Sequence, residues 1–91
     1  MTPMDEWNRA AVKGLLADAE RVLALTEFED VRGNREIVEK SIAKCRKDYT
    51  DLVRRSKPLI MTDGEYETFQ SILERLKARL RFFGESRLAT A

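Results

Sequence analysis

The sequence has no histidine, one cysteine, two prolines and four glycines in 91 residues, and each scarcity removes a class of function. Without histidine it lacks the commonest general base, the usual zinc ligand and the only side chain that titrates unperturbed near neutral pH. Triad hydrolysis and zinc catalysis are therefore not expected. The single thiol, Cys45, has no second cysteine to pair with and no other soft ligand for a metal, so it reads as a small buried residue in a reducing compartment. Gly14, Gly33, Gly64 and Gly84 are too widely spaced for a phosphate-cradling loop, and no nucleotide or other cofactor is implied. Only carboxylates, lysines, Tyr49, Tyr66 and Cys45 remain for chemistry, with no motif linking them, so the expectation is that the chain is not an enzyme.

Long apolar runs are also missing. Nothing approaches the roughly 20 residues of a membrane span, and the opening Met1-Thr2-Pro3-Met4-Asp5-Glu6 has neither the basic nor the apolar region of a signal peptide. A cytoplasmic protein with no membrane role is expected. The acids Glu27, Glu29 and Asp30 cluster, but with neighbouring arginines and no recognised ligand spacing they read as a solvated cap and not a metal site.

What is present is apolar and charged in helical rhythm: 43% hydrophobic and 36% charged residues with a net charge of +1, the balance of a small soluble helical domain. Thr2 before Pro3, followed by Asp5, starts a first helix with a hydroxyl cap, proline at the first helical position and early negative charge. Met4, Val12, Leu15, Leu16, Ala19, Val22 and Leu23 then form its stripe. Its end reads two ways. Thr26-Glu27-Phe28-Glu29 has the form of a capping box, so the helix either runs on or kinks near residue 26.

Gly33-Asn34 reads as a stop followed by a cap. Val38, Ile42, Cys45, Tyr49, Leu52 and Ser56 then alternate spacings of four and three, a heptad seam that ends before Pro58. Thr62-Asp63-Gly64-Glu65 is a second capping box, opening a third helix with the seam Tyr66, Phe69, Leu73, Leu76, Leu80 and Phe83, which Gly84 is expected to close. Short connections make consecutive helices antiparallel neighbours. The expected fold is an all-α, antiparallel up-down-up three-helix bundle spanning residues 1–85, with 86–91 as a loose tail.

The near-zero net charge hides a segregation: residues 1–31 carry −4, residues 32–57 carry +5 and residues 58–91 are neutral. In an up-down-up bundle this predicts that the acids at 27–30 lie near Arg32 and Arg35 and near Arg79 and Arg81 at the end of the third helix, and that Asp5 and Glu6 face Arg54, Arg55 and Lys57. Such pairs contribute only about 0 to 1 kcal/mol each, and act mainly on register.

Two surfaces compete for function. The first helix carries Trp7, Ala11 and Leu25 on one flank and Gly14 on its back. A helix-interior glycine costs about 1 kcal/mol against alanine, so Gly14 calls for a reason such as close approach of a partner. A wide apolar arc touching two other helices would account for Trp7, Ala11 and Leu25 without any partner. Phe82 lies off the third seam and, with Leu25 and Phe28, would form an apolar patch at one end. The second surface is a basic stripe, Lys40, Lys44, Lys47, Arg54 and Arg55, on the outer face of the second helix, which could track phosphates. Asp51 and Glu36 interrupt it, however, and no aromatic is interleaved for stacking bases. The expected function is thus a non-enzymatic interaction module. It would form a homodimer or dock on a partner helix through Trp7, Gly14, Leu25, Phe28 and Phe82, with nucleic-acid binding as the disfavoured alternative.

Overall fold

The structure, a computed structural model, describes the backbone of residues 3–27 and 35–90 and the side chains of residues 4–27 and 36–84. Three helices follow one another, α1 (Pro3–Glu27), α2 (Arg35–Ser56) and α3 (Asp63–Thr90), and every pair of them is in contact. Proline takes the first position of α1, where its missing N–H would have had no partner. The expected cap at Thr2, Gly33-Asn34 and Phe28 lie outside the described residues.

The up-down-up course follows from cross-helix bonds. Asn8, early in α1, is bonded to Ile60 just before α3, and Thr26, late in α1, is bonded to Arg79 late in α3. The first and third helices therefore run parallel, with α2 antiparallel between them. The Cys45 thiol of α2 meets the Leu76 carbonyl at 3.9 Å, which fixes the middle of that antiparallel pair.

The molecule is an elongated rod of 55 × 19 × 19 Å, so its interior is a single column of side chains. Leu15, Ala19 and Leu23 of α1, Val38, Ile42, Cys45 and Leu52 of α2, and Phe69, Leu73, Leu76 and Phe83 of α3 all lie in it. These are the expected seams. Ile72 joins them although it falls between the seam positions, because α3 packs on two helices and needs the wider apolar arc. Met4 and Tyr66, expected in the seams, are instead 70% and 56% exposed. Met4 sits where α1 begins, beyond the last turn of α2, while Tyr66 stands level with that turn, near Ser56 and Met61, at the edge of the apolar arc of α3.

The two capping boxes have different outcomes. At Thr62 the box is formed in full: the Glu65 N–H donates to Thr62 Oγ1 at 3.2 Å, and the Thr62 N–H donates to Glu65 Oε1 at 2.8 Å. At Thr26 it is not. That residue lies in the last turn of α1, buried, with its hydroxyl donating to the Val22 carbonyl four residues back at 2.7 Å. The first helix is continuous through Glu27, and residues 28–34 lie outside the described residues. At the other terminus α3 passes through Gly84 and on to Thr90, so the stop expected at Gly84 is not taken and the backbone of residues 86–90, expected as a tail, is helical. One glycine lowers helix propensity by about 1 kcal/mol, which an already propagating helix absorbs.

The connection between α2 and α3 is held by one side chain. Asn8 Nδ2 donates to the Ile60 carbonyl at 2.8 Å, and the Ile60 N–H donates back to Asn8 Oδ1 at 2.8 Å. Replacing Asn8 by Ala removes both bonds and should lower unfolding stability by about 1 to 2 kcal/mol. Asn8→Asp, which keeps the acceptor alone, should lose an intermediate amount. Urea denaturation midpoints measure this, and an unchanged midpoint for Asn8→Ala would mean the clamp adds nothing to stability.

Candidate functional site

Among the described residues no group of three His, Cys, Asp or Glu side chains is placed to hold a metal ion, and Cys45 is buried in the core. Lys77 is held above its ordinary pKa by its hydrogen bond to Glu74, then by Tyr49. That direction keeps it charged, the opposite of what an amine nucleophile or general base needs.

The apolar surface is more informative. Seven large hydrophobic side chains are exposed among the described residues: Met4, Trp7, Leu25, Ile37, Ile60, Tyr66 and Phe82. All lie toward the two ends of the rod. At the end where α1 starts, Met4, Trp7, Val12, Pro58, Ile60 and Glu65 line one open groove. Trp7 is 53% exposed there and Ile60 80%. The Asn8 clamp holds the backbone of Ile60 against α1 while its side chain stands in solvent. Of this cluster the sequence reading named only Trp7 as a contact residue, placed Met4 in the core and missed Ile60. Local sequence carries no signal for Ile60, since its position depends on a bond to a residue 52 positions earlier.

The other expected contact residues are spread along the rod. Trp7, Gly14 and Leu25 are separated by 7 and 11 residues, close to whole numbers of turns, so they share one line on α1 about 27 Å long. Trp7 and Leu25 are both more than half exposed, which answers the question of the wide arc: packing within the chain does not cover them. A Cβ built on Gly14 meets nothing within 4 Å, so no helix of the same chain approaches it closely.

Phe82, expected to stand exposed off its seam, is 39% exposed and forms part of a local structure. The Arg79 guanidinium stacks over the Phe82 ring at 4.5 Å and the Phe83 ring at 4.9 Å while Nη2 donates to the Thr26 carbonyl at 2.9 Å. Glu27 is paired with Arg75. The last turn of α1 has no basic residue of its own, and α3 supplies the cations its carbonyls and its acid require. The pair formed at this end, Glu27 with Arg75, is not one of those expected, Arg79 meets a carbonyl and not an acid, and Glu29, Asp30 and Arg32 lie outside the described residues.

At the opposite end the expected partners differ. Arg55 pairs with Asp18 at 2.9 Å and with Asp51 at 3.7 Å, and Arg54 pairs with Asp51. The pairing expected between Arg54 or Arg55 and Asp5 or Glu6 gives way because Arg55 stands beside Asp18, which leaves Asp5 about 20 Å further along α1. Lys40 pairs with Glu36 at 3.1 Å. Of the five cations of the basic stripe, only Lys44 and Lys47 have no ion pair among the described residues.

Compared with protein-family models, with curated proteins and with solved structures, the chain matches none of them. Function is therefore argued from its own surface. The open space around Gly14 makes Gly14→Ala a direct probe of that face. In dilute solution it should raise unfolding stability by about 0.5 to 1 kcal/mol through helix propensity alone. A loss of stability, read by thermal or urea denaturation, would mean that something packs against Gly14.

Proposed function

We propose that this chain is a small, non-enzymatic, self-associating helical interaction module, with the Met4, Trp7 and Ile60 surface as a principal contact. The observation that carries the reading is the exposed Trp7 beside Met4 and Ile60, on a backbone held rigid by the Asn8 clamp. A flexible loop would lose entropy on binding, whereas a pre-fixed apolar surface loses little. Isolated exposed hydrophobics are ordinary, but a contiguous cluster that includes tryptophan is the composition of a contact centre. Another copy of the chain is the simplest occupant, because a small rod with uncovered apolar ends gains most by covering them with its own kind.

Trp7 is the sole tryptophan, so its fluorescence reports on this surface directly. Over a concentration series, sedimentation should show mass above that of the monomer while Trp7 emission moves to the blue. Trp7→Ser and Ile60→Ser, both at exposed positions, should weaken association at least about tenfold, a change of about 1.4 kcal/mol, without lowering the melting temperature. A monomer with unshifted emission at every concentration up to about 1 mM would overturn self-association.

A further inference from the structure

The long sides of the rod carry a second pattern, independent of the apolar ends. Between α1 and α3 runs an open groove with Leu23 and Ile72 at its base, the small side chains of Ala24, Thr68 and Ser71 beside them, and Glu20, Glu27, Glu67 and Arg75 around it. Glu27 and Arg75 neutralise each other. Glu20 on α1 and Glu67 on α3, one on each wall, are in no ion pair among the described residues.

The far side of the rod is the outer face of α2. Ala43 and Thr50, seven residues apart, lie on one line of that helix and are exposed. Arg46 and Lys47 flank the line, each about 50° from it, on opposite sides. Neither is in an ion pair among the described residues, while Lys40, Arg54 and Arg55 nearby are already paired. The line of Ala43 and Thr50, with Glu39 and Arg54 at its ends and Arg46 and Lys47 on either side, thus faces away from a groove of small side chains between Glu20 and Glu67.

We propose that the α1–α3 groove receives α2 of a second copy of this chain, with Ala43 and Thr50 against Ala24, Thr68 and Ser71, and with Arg46 and Lys47 set against Glu20 and Glu67. The occupant is named by charge complementarity: the groove presents Glu20 and Glu67, the outer face of α2 presents Lys44, Arg46 and Lys47, none of them in an ion pair among the described residues, and both faces are on the same molecule. Because the two faces look in opposite directions, the contact is heterologous and cannot close into a two-fold dimer. Copies therefore stack side by side into a growing array. This inference rests on the self-association reading above but uses a different surface, so each can fail without the other.

The test uses charge reversal in the full chain. Glu20→Lys with Glu67→Lys gives a basic groove, and Arg46→Glu with Lys47→Glu gives an acidic ridge. All four positions are exposed and outside the core, and circular dichroism checks that both variants fold. At low salt the parent chain should show a weight-average mass that climbs with concentration without a plateau at two copies. This association should weaken at least about tenfold at high ionic strength, where the Debye length falls to a few ångströms. Each double variant alone should associate at least about tenfold more weakly than the parent. An equimolar mixture of the two should recover assembly, because each acidic ridge then finds a basic groove and each basic ridge an acidic groove. The same salt-sensitive association should persist in a Trp7→Ser, Ile60→Ser background. A mass that levels at two copies, indifference of assembly to both reversals, or a mixture that stays apart would overturn the stacking. Levelling at two copies with sensitivity to Trp7→Ser would leave the end-surface reading standing while the lateral one fell.

Discussion

The register between α1 and α3 is the constraint on which the rest of the bundle depends, and the Asn8 carboxamide sets it at one end. Asn8 is bonded to a residue 52 positions later, and at the other end of α1 Thr26 is bonded to a residue 53 positions later. The two offsets agree within one residue over eighteen, so the parallel pair keeps step along nearly all of α1. With that offset fixed, Leu15, Ala19 and Leu23 are presented to the α3 seam in sequence. The middle helix is left to fill the remaining side with Val38, Ile42, Cys45 and Leu52. The clamp is unusual in satisfying both backbone groups of a loop residue with a single side chain. It does for the connection what a ladder bond does for a strand, and so allows an exposed loop to hold one conformation.

The far end is fixed by a different chemistry. Acids near a helix C-terminus oppose the dipole, and α1 ends in Glu27 with no cation in its own last turn. The third helix answers with Arg75 on the carboxylate and Arg79 on the Thr26 carbonyl. Arg79 is itself held between a carbonyl and two aromatic rings, which lets one guanidinium donate a hydrogen bond while its charge lies over both rings. This accounts for Phe82. Read as a seam residue it has no place, but as a platform for the arginine that fastens two helices it does, and its partial exposure follows from standing on the outer side of that stack.

How much of this was legible in the sequence depended on whether the signal was local. The seams were readable because a helix buries one face wherever neighbours exist, so apolar period and burial coincide through the middle of the rod. They part at Met4, where the period continues past the last residue with a neighbour and no pattern on one helix states where the next one ends, and at Tyr66, which lies at the edge of the buried arc of α3. The two capping boxes make the same point. Thr62 and Thr26 head the same motif, yet Thr62 follows a break at Pro58 while Thr26 follows an unbroken helix, and a hydroxyl inside a helix turns back to the carbonyl of the preceding turn. Charge segregation predicted complementary ends but not the partners of Arg55, because matching of sign does not set register. The bond between Asn8 and Ile60 had no local signature at all.

The distribution of what remains exposed bears on function more than its amount does. A three-helix rod 19 Å across can cover its flanks with its own long polar side chains, whereas the large exposed hydrophobics among the described residues lie toward its ends. Met4, Trp7, Ile60 and Tyr66 are at one end and Leu25, Ile37 and Phe82 at the other. Its flanks present charge, part of it paired within the chain. The two kinds of surface ask for different contacts. An apolar end gains from any shape that excludes water, so it contributes affinity with little selectivity. A flank of exposed charges contributes little affinity against solvent screening, but it penalises the wrong register and the wrong partner. On the proposed reading the ends supply the affinity of association and the sides its orientation.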